Sequence, residues 1–114
     1  MLKYFVTLSL ALAATSALAA PIDDSISKCN AGDANVCAEL AKSYYYGMNG
    51  VDEDFLKSFE YHDKACNLNL KESYYSLGYY YSTGSDVPQD NKKALAYYVK
   101  ACDLNVEDGC NYYD

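Results

Sequence analysis

The chain has 114 residues, with nine Lys and no Arg against sixteen Asp and Glu, a formal net charge of −7. So acidic a balance argues against nucleic acid and anionic membrane surfaces as partners. The length suffices for one small domain and excludes two independent ones.

Residues 1–19 carry a single charge, Lys3, ahead of a largely apolar run from Tyr4 to Ala14, and they close with the small-residue triplet Ala17-Leu18-Ala19. This is the pattern of a secretory signal peptide cut before Ala20, which leaves residues 20–114 as the mature domain. An uncleaved anchor is the competing reading of so long an apolar run, and the cleavage triplet argues against it. No cysteine stands immediately after the cut, where a bacterial lipoprotein would carry its lipid, so no membrane attachment is expected after cleavage. The expected location is secreted or periplasmic. All five cysteines (Cys29, Cys37, Cys66, Cys102 and Cys110) lie in the mature part, where oxidising conditions let disulfides form and persist. Five is odd, so one sulfur is left over.

The cysteine spacing points to repeats: 37 residues from Cys29 to Cys66, 36 from Cys66 to Cys102, and eight within both Cys29/Cys37 and Cys102/Cys110. Sliding the chain by 37 sets Leu40 on Leu77, Ala41 on Gly78, Tyr44 on Tyr81 and Gly47 on Gly84. After a one-residue deletion, Asp54 falls on Asp90, Lys57 on Lys93, Tyr61 on Tyr97, and Lys64-Ala65-Cys66 on Lys100-Ala101-Cys102. The repeats extend over approximately 34–69 and 71–106. Each reads as two helices around a glycine-containing turn, because apolar residues recur at helical spacing on both sides of it. Tyr74, Leu77, Gly78 and Tyr81 mark one such face, and Ala94, Tyr97, Tyr98, Ala101 and Cys102 the other. Asp54 and Asp90 stand just before second helices and are expected to be N-caps, with catalysis the alternative. Residues 110–114 start a third first-helix and stop. No segment reads as a strand. The expected fold is all-α, a short α/α solenoid of antiparallel, tetratricopeptide-like helix pairs, in which about two repeats leave the core unfinished.

The run Leu77-Gly78, Tyr81, Gly84, Val87, Asp90, Lys93-Ala94, Tyr97, Lys100-Ala101-Cys102 resembles the Sel-1-like repeat. The first copy departs from it with Ala41 for Gly and Ser58 for Ala. Cysteines eight apart at the repeat junctions, behind a signal peptide, make the chain similar to the secreted Helicobacter cysteine-rich proteins. That resemblance implies a solenoid serving as a protein- or peptide-binding scaffold, with weak penicillin-binding β-lactamase activity as the alternative and a β-lactam or peptidoglycan-related ligand. It also implies disulfides Cys29–Cys37 and Cys102–Cys110. The partner of Cys66 would stand at position 74, where the chain has Tyr74. Cys66 is then a buried free thiol, a bridge to a second copy that makes a dimer, or a non-native pair.

A serine β-lactamase needs a nucleophilic serine with a lysine one helical turn on, plus further motifs. Ser25-Ile26-Ser27-Lys28 offers only that first pair, so Ser25 and Lys28 are weak catalytic candidates. His62, the only histidine, aligns with Tyr98, where a large ring packs, and is read as structural. One histidine cannot build an open zinc site, so no metal or other cofactor is expected.

Tyrosine is the unusual component, fourteen in all. Tyr44, Tyr61, Tyr74, Tyr81, Tyr97 and Tyr98 hold repeat positions expected in the core. Tyr45, Tyr46, Tyr75, Tyr79 and Tyr80 align with Ser82, Thr83, Ala38, Lys42 and Ser43, so repeat packing does not demand rings there. These five are the candidate anchors for a partner peptide on the concave face, with shielding of the unfinished core the plainer reading. The acids at Asp52-Glu53-Asp54 and Glu107-Asp108 read as solvated caps. As a rim around tyrosines they would favour a basic, Tyr- or Pro-containing segment.

Overall fold

A computed structural model describes residues 21–112. The signal-peptide expectation lies outside them. Six helices follow in order: α1 Pro21–Asn30, α2 Ala34–Tyr46, α3 Phe55–Asn67, α4 Lys71–Thr83, α5 Asn91–Asp103 and the short α6 Glu107–Cys110. No strand occurs among the described residues, and none of their helices is long and apolar enough to cross a membrane.

The expected caps start the second helices. Asp54 and Asp90 sit in extended backbone, and each Oδ1 accepts the N–H of Lys57 or Lys93 at 3.0 Å. Asp33 does the same for α2, accepting from Val36 at 3.2 Å. Such a bond satisfies one of the orphan donors of the first turn. The first helices end on Gly47 and Gly84, at φ 66° and 72°. Glycine is needed there because that left-handed backbone crowds any Cβ, and at Gly47 a Cβ would also meet the Glu53 nitrogen at 3.1 Å. The loop then returns through Asp54 N–H to Tyr44 O and Asp90 N–H to Tyr81 O, at 2.7 and 2.9 Å. The junctions between helix pairs are built from Asn69 and Asn105, both at φ 67°. Asparagine tolerates that conformation better than most residues.

The core runs along the stacked helices, with α1 packing on the first pair. Leu40 lies with Cys29, Cys37 and Ala65, flanked by Ile22, Ile26 and Leu70. Leu77, its equivalent, is fully buried, as are Ala94, Tyr98 and Ala101 nearby in the chain. Full burial of such a leucine contributes about 2–3 kcal/mol. The disulfides implied by the resemblance are present: Cys29–Cys37 ties α1 to α2 and Cys102–Cys110 ties α5 to α6, with Cα atoms 4.8 and 4.7 Å apart. Because Cys29 is equivalent to Cys66 and Cys102, α1 occupies the place of a second helix ahead of the first repeat.

Two expectations need correcting. The third first-helix begins at Glu107 rather than at 110. The Asn105 turn closes with Val106 N–H on Ala101 O at 2.9 Å, so the chain is helical again at once. Among the tyrosines expected in the core, Tyr44 and Tyr98 are buried, whereas Tyr61, Tyr74, Tyr81 and Tyr97 are only half-buried. Instead they form edge stacks: Tyr44 on Tyr61 and Tyr81 on Tyr97, both at 5.7 Å between centroids.

Candidate functional site

The first helices of the two repeats, α2 and α4, meet through Tyr45 and Tyr80, and between them opens a cleft of about 330 Å³. Tyr45 and Tyr46 line it from α2, Tyr75, Tyr79 and Tyr80 from α4, and His62 from α3, with Lys42 and Ser76 also in the wall. The five tyrosines that repeat packing does not demand are therefore brought to one place. A second cavity of about 300 Å³ shares Lys42, His62 and Ser76 with the first and adds Asn35, Ala38, Glu39, Leu70, Glu72 and Ser73. The two adjoin, an aromatic end and an end where polar side chains mix with Ala38 and Leu70.

At the aromatic end the rings turn by nearly a right angle from one to the next. Tyr45 meets Tyr46 at 4.9 Å and 76°, Tyr45 meets Tyr80 at 6.5 Å and 89°, and Tyr80 meets Tyr79 at 6.4 Å and 83°. Edge-to-face contact of this kind suits the ring quadrupoles. Exposure is graded: Tyr46 is 63% exposed, Tyr79 37% and Tyr80 2%. Tyr80 is thus not an exposed anchor, which corrects the sequence expectation. It is the cleft floor, packed on Phe59 at 5.6 Å. Its equivalent Ser43 is buried too, so the position is interior in both repeats and only the size of its side chain differs. Tyr75 is half-buried against Tyr98 and Tyr112, with centroids 5.6 and 5.8 Å away.

Hydroxyls and acids tune these rings. Interaction with the Tyr79 hydroxyl, then burial and nearby charges that include Glu53, raise the pKa of Tyr45. Burial first, then Tyr112, raises that of Tyr75, with Asp108 contributing. Tyr80 is raised mainly by burial, with Asp86 adding to it. Of the acids expected at the rim, Glu53 and Asp108 therefore lie within electrostatic reach of cleft rings.

His62 sits where the two ends join. Its ring lies 6.1 Å from that of Tyr80, and its Nδ1 is buried with no hydrogen-bond partner. Burial, and secondarily Lys42, lowers its pKa to about 4, so the imidazole is neutral at ordinary pH. Among the described residues three buried side-chain polar atoms lack a partner: His62 Nδ1, Ser73 Oγ and Tyr80 OH. All three belong to residues that line the cleft. The Ser58 hydroxyl near Tyr80 donates instead to Ala41 O at 2.7 Å. Unpaired polar atoms at such depth are uncommon in folded proteins.

The other candidates do not assemble into a reactive site. Ser25 and Lys28 lie on α1, and Ser25 lines a separate cavity of about 270 Å³ with Pro21, Ile22, Glu39 and Leu40, which Lys28 does not enter. The Lys28 ammonium is at the surface, 3.1 Å from Asp24. Cys66 is 6% exposed and unpaired, and burial raises its thiol pKa while Tyr74 counters this in part. A bridge from Cys66 to a second copy would require this junction to open. No group of three or more potential metal ligands occurs among the described residues.

Residues 34–70 and 71–106 each match the Sel1 repeat model. The chain belongs to the Sel1 repeat family. Among solved structures, this Sel1 chain is similar to Helicobacter pylori cysteine rich protein B, at 35% identity and TM-score 0.68, over 73% of this chain and 62% of that one. It shares its fold with a Sel1 repeat protein from Oxalobacter formigenes, at TM-score 0.69 and 22% identity, over 77% and 65% of the two chains. A protective antigen of uropathogenic Escherichia coli with an SLR fold is similar at TM-score 0.71 and 25% identity, over 76% of this chain and 18% of that one. The chain thus spans less than two thirds of each of these structures. Comparison with curated proteins gives no match.

Proposed function

We propose that this Sel1 repeat protein is an exported scaffold that holds an extended segment of a partner protein in the cleft between α2 and α4. One observation carries the reading: five tyrosines outside the repeat pattern converge on a single cleft. Tyrosine offers large contact area, few rotors and a polar tip, which suits an interface anchor. Sel1 repeats in general mediate protein–protein interaction, which agrees with this use of the surface. The β-lactamase reading rests on the resemblance alone, since Ser25 and Lys28 do not share a cavity.

The test is selection of peptides from a random displayed library on the oxidised protein, followed by titration against Tyr46→Ala and Tyr79→Ala. Both rings are exposed enough for the fold to tolerate their loss. Each variant is expected to weaken the selected peptides by about tenfold, the effect of a moderate interface anchor. Peptides that bind both variants as well as they bind the parent protein would exclude the cleft as the site. Export is tested separately, by N-terminal sequencing of protein recovered outside the cytoplasm, where Ala20 is the expected first residue.

A further inference from the structure

We propose that the aromatic end of the cleft is a cation slot, in which Tyr45, Tyr46 and Tyr79 receive a Lys or Arg side chain of the bound segment. The inference rests on the peptide-binding reading and specifies what that segment must carry. Tyr45, Tyr46 and Tyr79 line the same space, and Tyr46 is 63% and Tyr79 37% exposed, so that open ring surface borders it. A cation over a ring face is attracted by the ring quadrupole, and more strongly as the site excludes water.

The rest of the molecule supports this choice of ligand. The chain already sets lysines over tyrosines three times: Lys57 over Tyr44 at 5.2 Å, Lys93 over Tyr81 at 5.2 Å and Lys100 over Tyr74 at 5.9 Å. All three contacts lie outside the cleft. Among the described residues no lysine covers Tyr45, Tyr46 or Tyr79, although Tyr46 is the most exposed ring of the set. Lys42, the one cation in the wall, is 3.8 Å from Glu39, towards the other end. Glu53 and Asp86 lie near the rings, and the chain is strongly acidic. An incoming positive charge therefore meets tyrosine rings and carboxylates, with the Glu39-paired Lys42 as the one ammonium in the wall. A negatively charged segment would meet the opposite.

The experiment titrates the oxidised, isotopically labelled protein with capped pentapeptides Ala-Ala-X-Ala-Ala, where X is Lys, Arg, norleucine or Glu, and follows the tyrosine ring and backbone resonances. Lys and Arg peptides are expected to shift Tyr45, Tyr46 and Tyr79, to bind at least about fivefold more tightly than the norleucine peptide, and to lose that margin in molar salt. The Glu peptide is expected to bind most weakly. Tyr46→Leu should erase the preference for cations, bringing the Lys, Arg and norleucine peptides to within about twofold of one another, and Tyr46→Phe, which keeps the ring face, should retain most of it. Equal binding of Lys and norleucine peptides at these rings would overturn the cation slot and leave the peptide cleft standing. Failure of every peptide, including those selected from the library, to perturb the cleft would overturn both.

Discussion

The two repeats, α2–α3 and α4–α5, pass nearly the same backbone through different side chains, and the differences gather where the repeats meet. The shared parts are the frame. Asp54 and Asp90 cap alike, Asn69 and Asn105 turn alike, and two Lys–Tyr–Tyr stacks, Lys57/Tyr44/Tyr61 and Lys93/Tyr81/Tyr97, have matching separations. The divergent pairs are Ser43 against Tyr80, Ala41 with His62 against Gly78 with Tyr98, and Cys37 against Tyr74. Tyr80 and His62 line the cleft, while Tyr74 stands where the middle disulfide would be. Repetition builds the solenoid, and departures from repetition build the five-tyrosine cleft and, among the described residues, the junction without a disulfide.

Breaking the covalent part of this comparison should have the largest effect. Replacing Cys102 and Cys110 with Ser, or Cys29 and Cys37, removes the constraint of a short loop and is expected to lower the unfolding free energy by about 2.5 kcal/mol on the chain-entropy model, read by urea denaturation of the oxidised protein. The middle junction offers the converse. Tyr74→Cys places a second thiol at the position equivalent to Cys37 and Cys110, and it is expected to pair with Cys66, shown by loss of the titratable thiol. The gain should be smaller than at the ends, because the Tyr74 ring now packs against Tyr97.

The next effect concerns Ala41/His62 against Gly78/Tyr98. A Cβ at Gly78 would lie 2.7 Å from the Tyr98 ring. Gly78→Ala is expected to cost about 2 kcal/mol by overpacking. In the first repeat the smaller imidazole stands where the phenol does, which lets alanine replace glycine. His62→Tyr should therefore be destabilised by a similar amount and rescued in part by Ala41→Gly. A double-mutant cycle with no coupling would break the equivalence of the two sites.

The same histidine gives the comparison a pH dependence. With its pKa lowered from 6.5 to about 4, folded His62 releases the proton that the unfolded chain still holds between those values. The unfolded state binds more protons in that window, so stability rises with pH from about 4 to 6.5 and is lost as pH falls. The shift corresponds to on the order of 2 kcal/mol once the partial exposure of the ring is allowed for. His62→Asn should flatten urea midpoints across that range, whereas an unchanged slope would mean that the imidazole is not the group responsible.

How legible all this was from sequence follows from what repeats reveal. Helix pairs, caps and turns were readable because Asp54, Asp90, Gly47 and Gly84 have partners one repeat away. The preceding helix α1 was legible only at its end, where Cys29 matches Cys66 and Cys102 at the close of a second helix, and its start was not, since the residues before Cys29 have no counterpart to align. The five extra tyrosines could be found as departures from the pattern. Their separate burials could not, because whether Tyr80 is floor or rim depends on how α4 packs against Phe59 and Tyr45. The unpaired atoms of Ser73 and His62 left no trace, for a serine and a histidine on helix faces usually find partners or solvent.

The smallest expected effects are also the sharpest control. Asp54 and Asp90 have backbone angles of −153°, 98° and −147°, 96°, and both accept their bond at 3.0 Å. Asp54→Ala and Asp90→Ala should therefore each cost about 1 kcal/mol, measured as unfolding free energy in urea. Equal losses are required if the frame is shared and the whole chain unfolds as one unit, since each cap then counts once against the same transition. If Asp90→Ala costs its full amount while Asp54→Ala costs almost nothing, the first pair opens separately. The unlinked junction between Cys66 and Tyr74 is where such a division would fall, because both outer junctions are crosslinked and this one is held by packing alone.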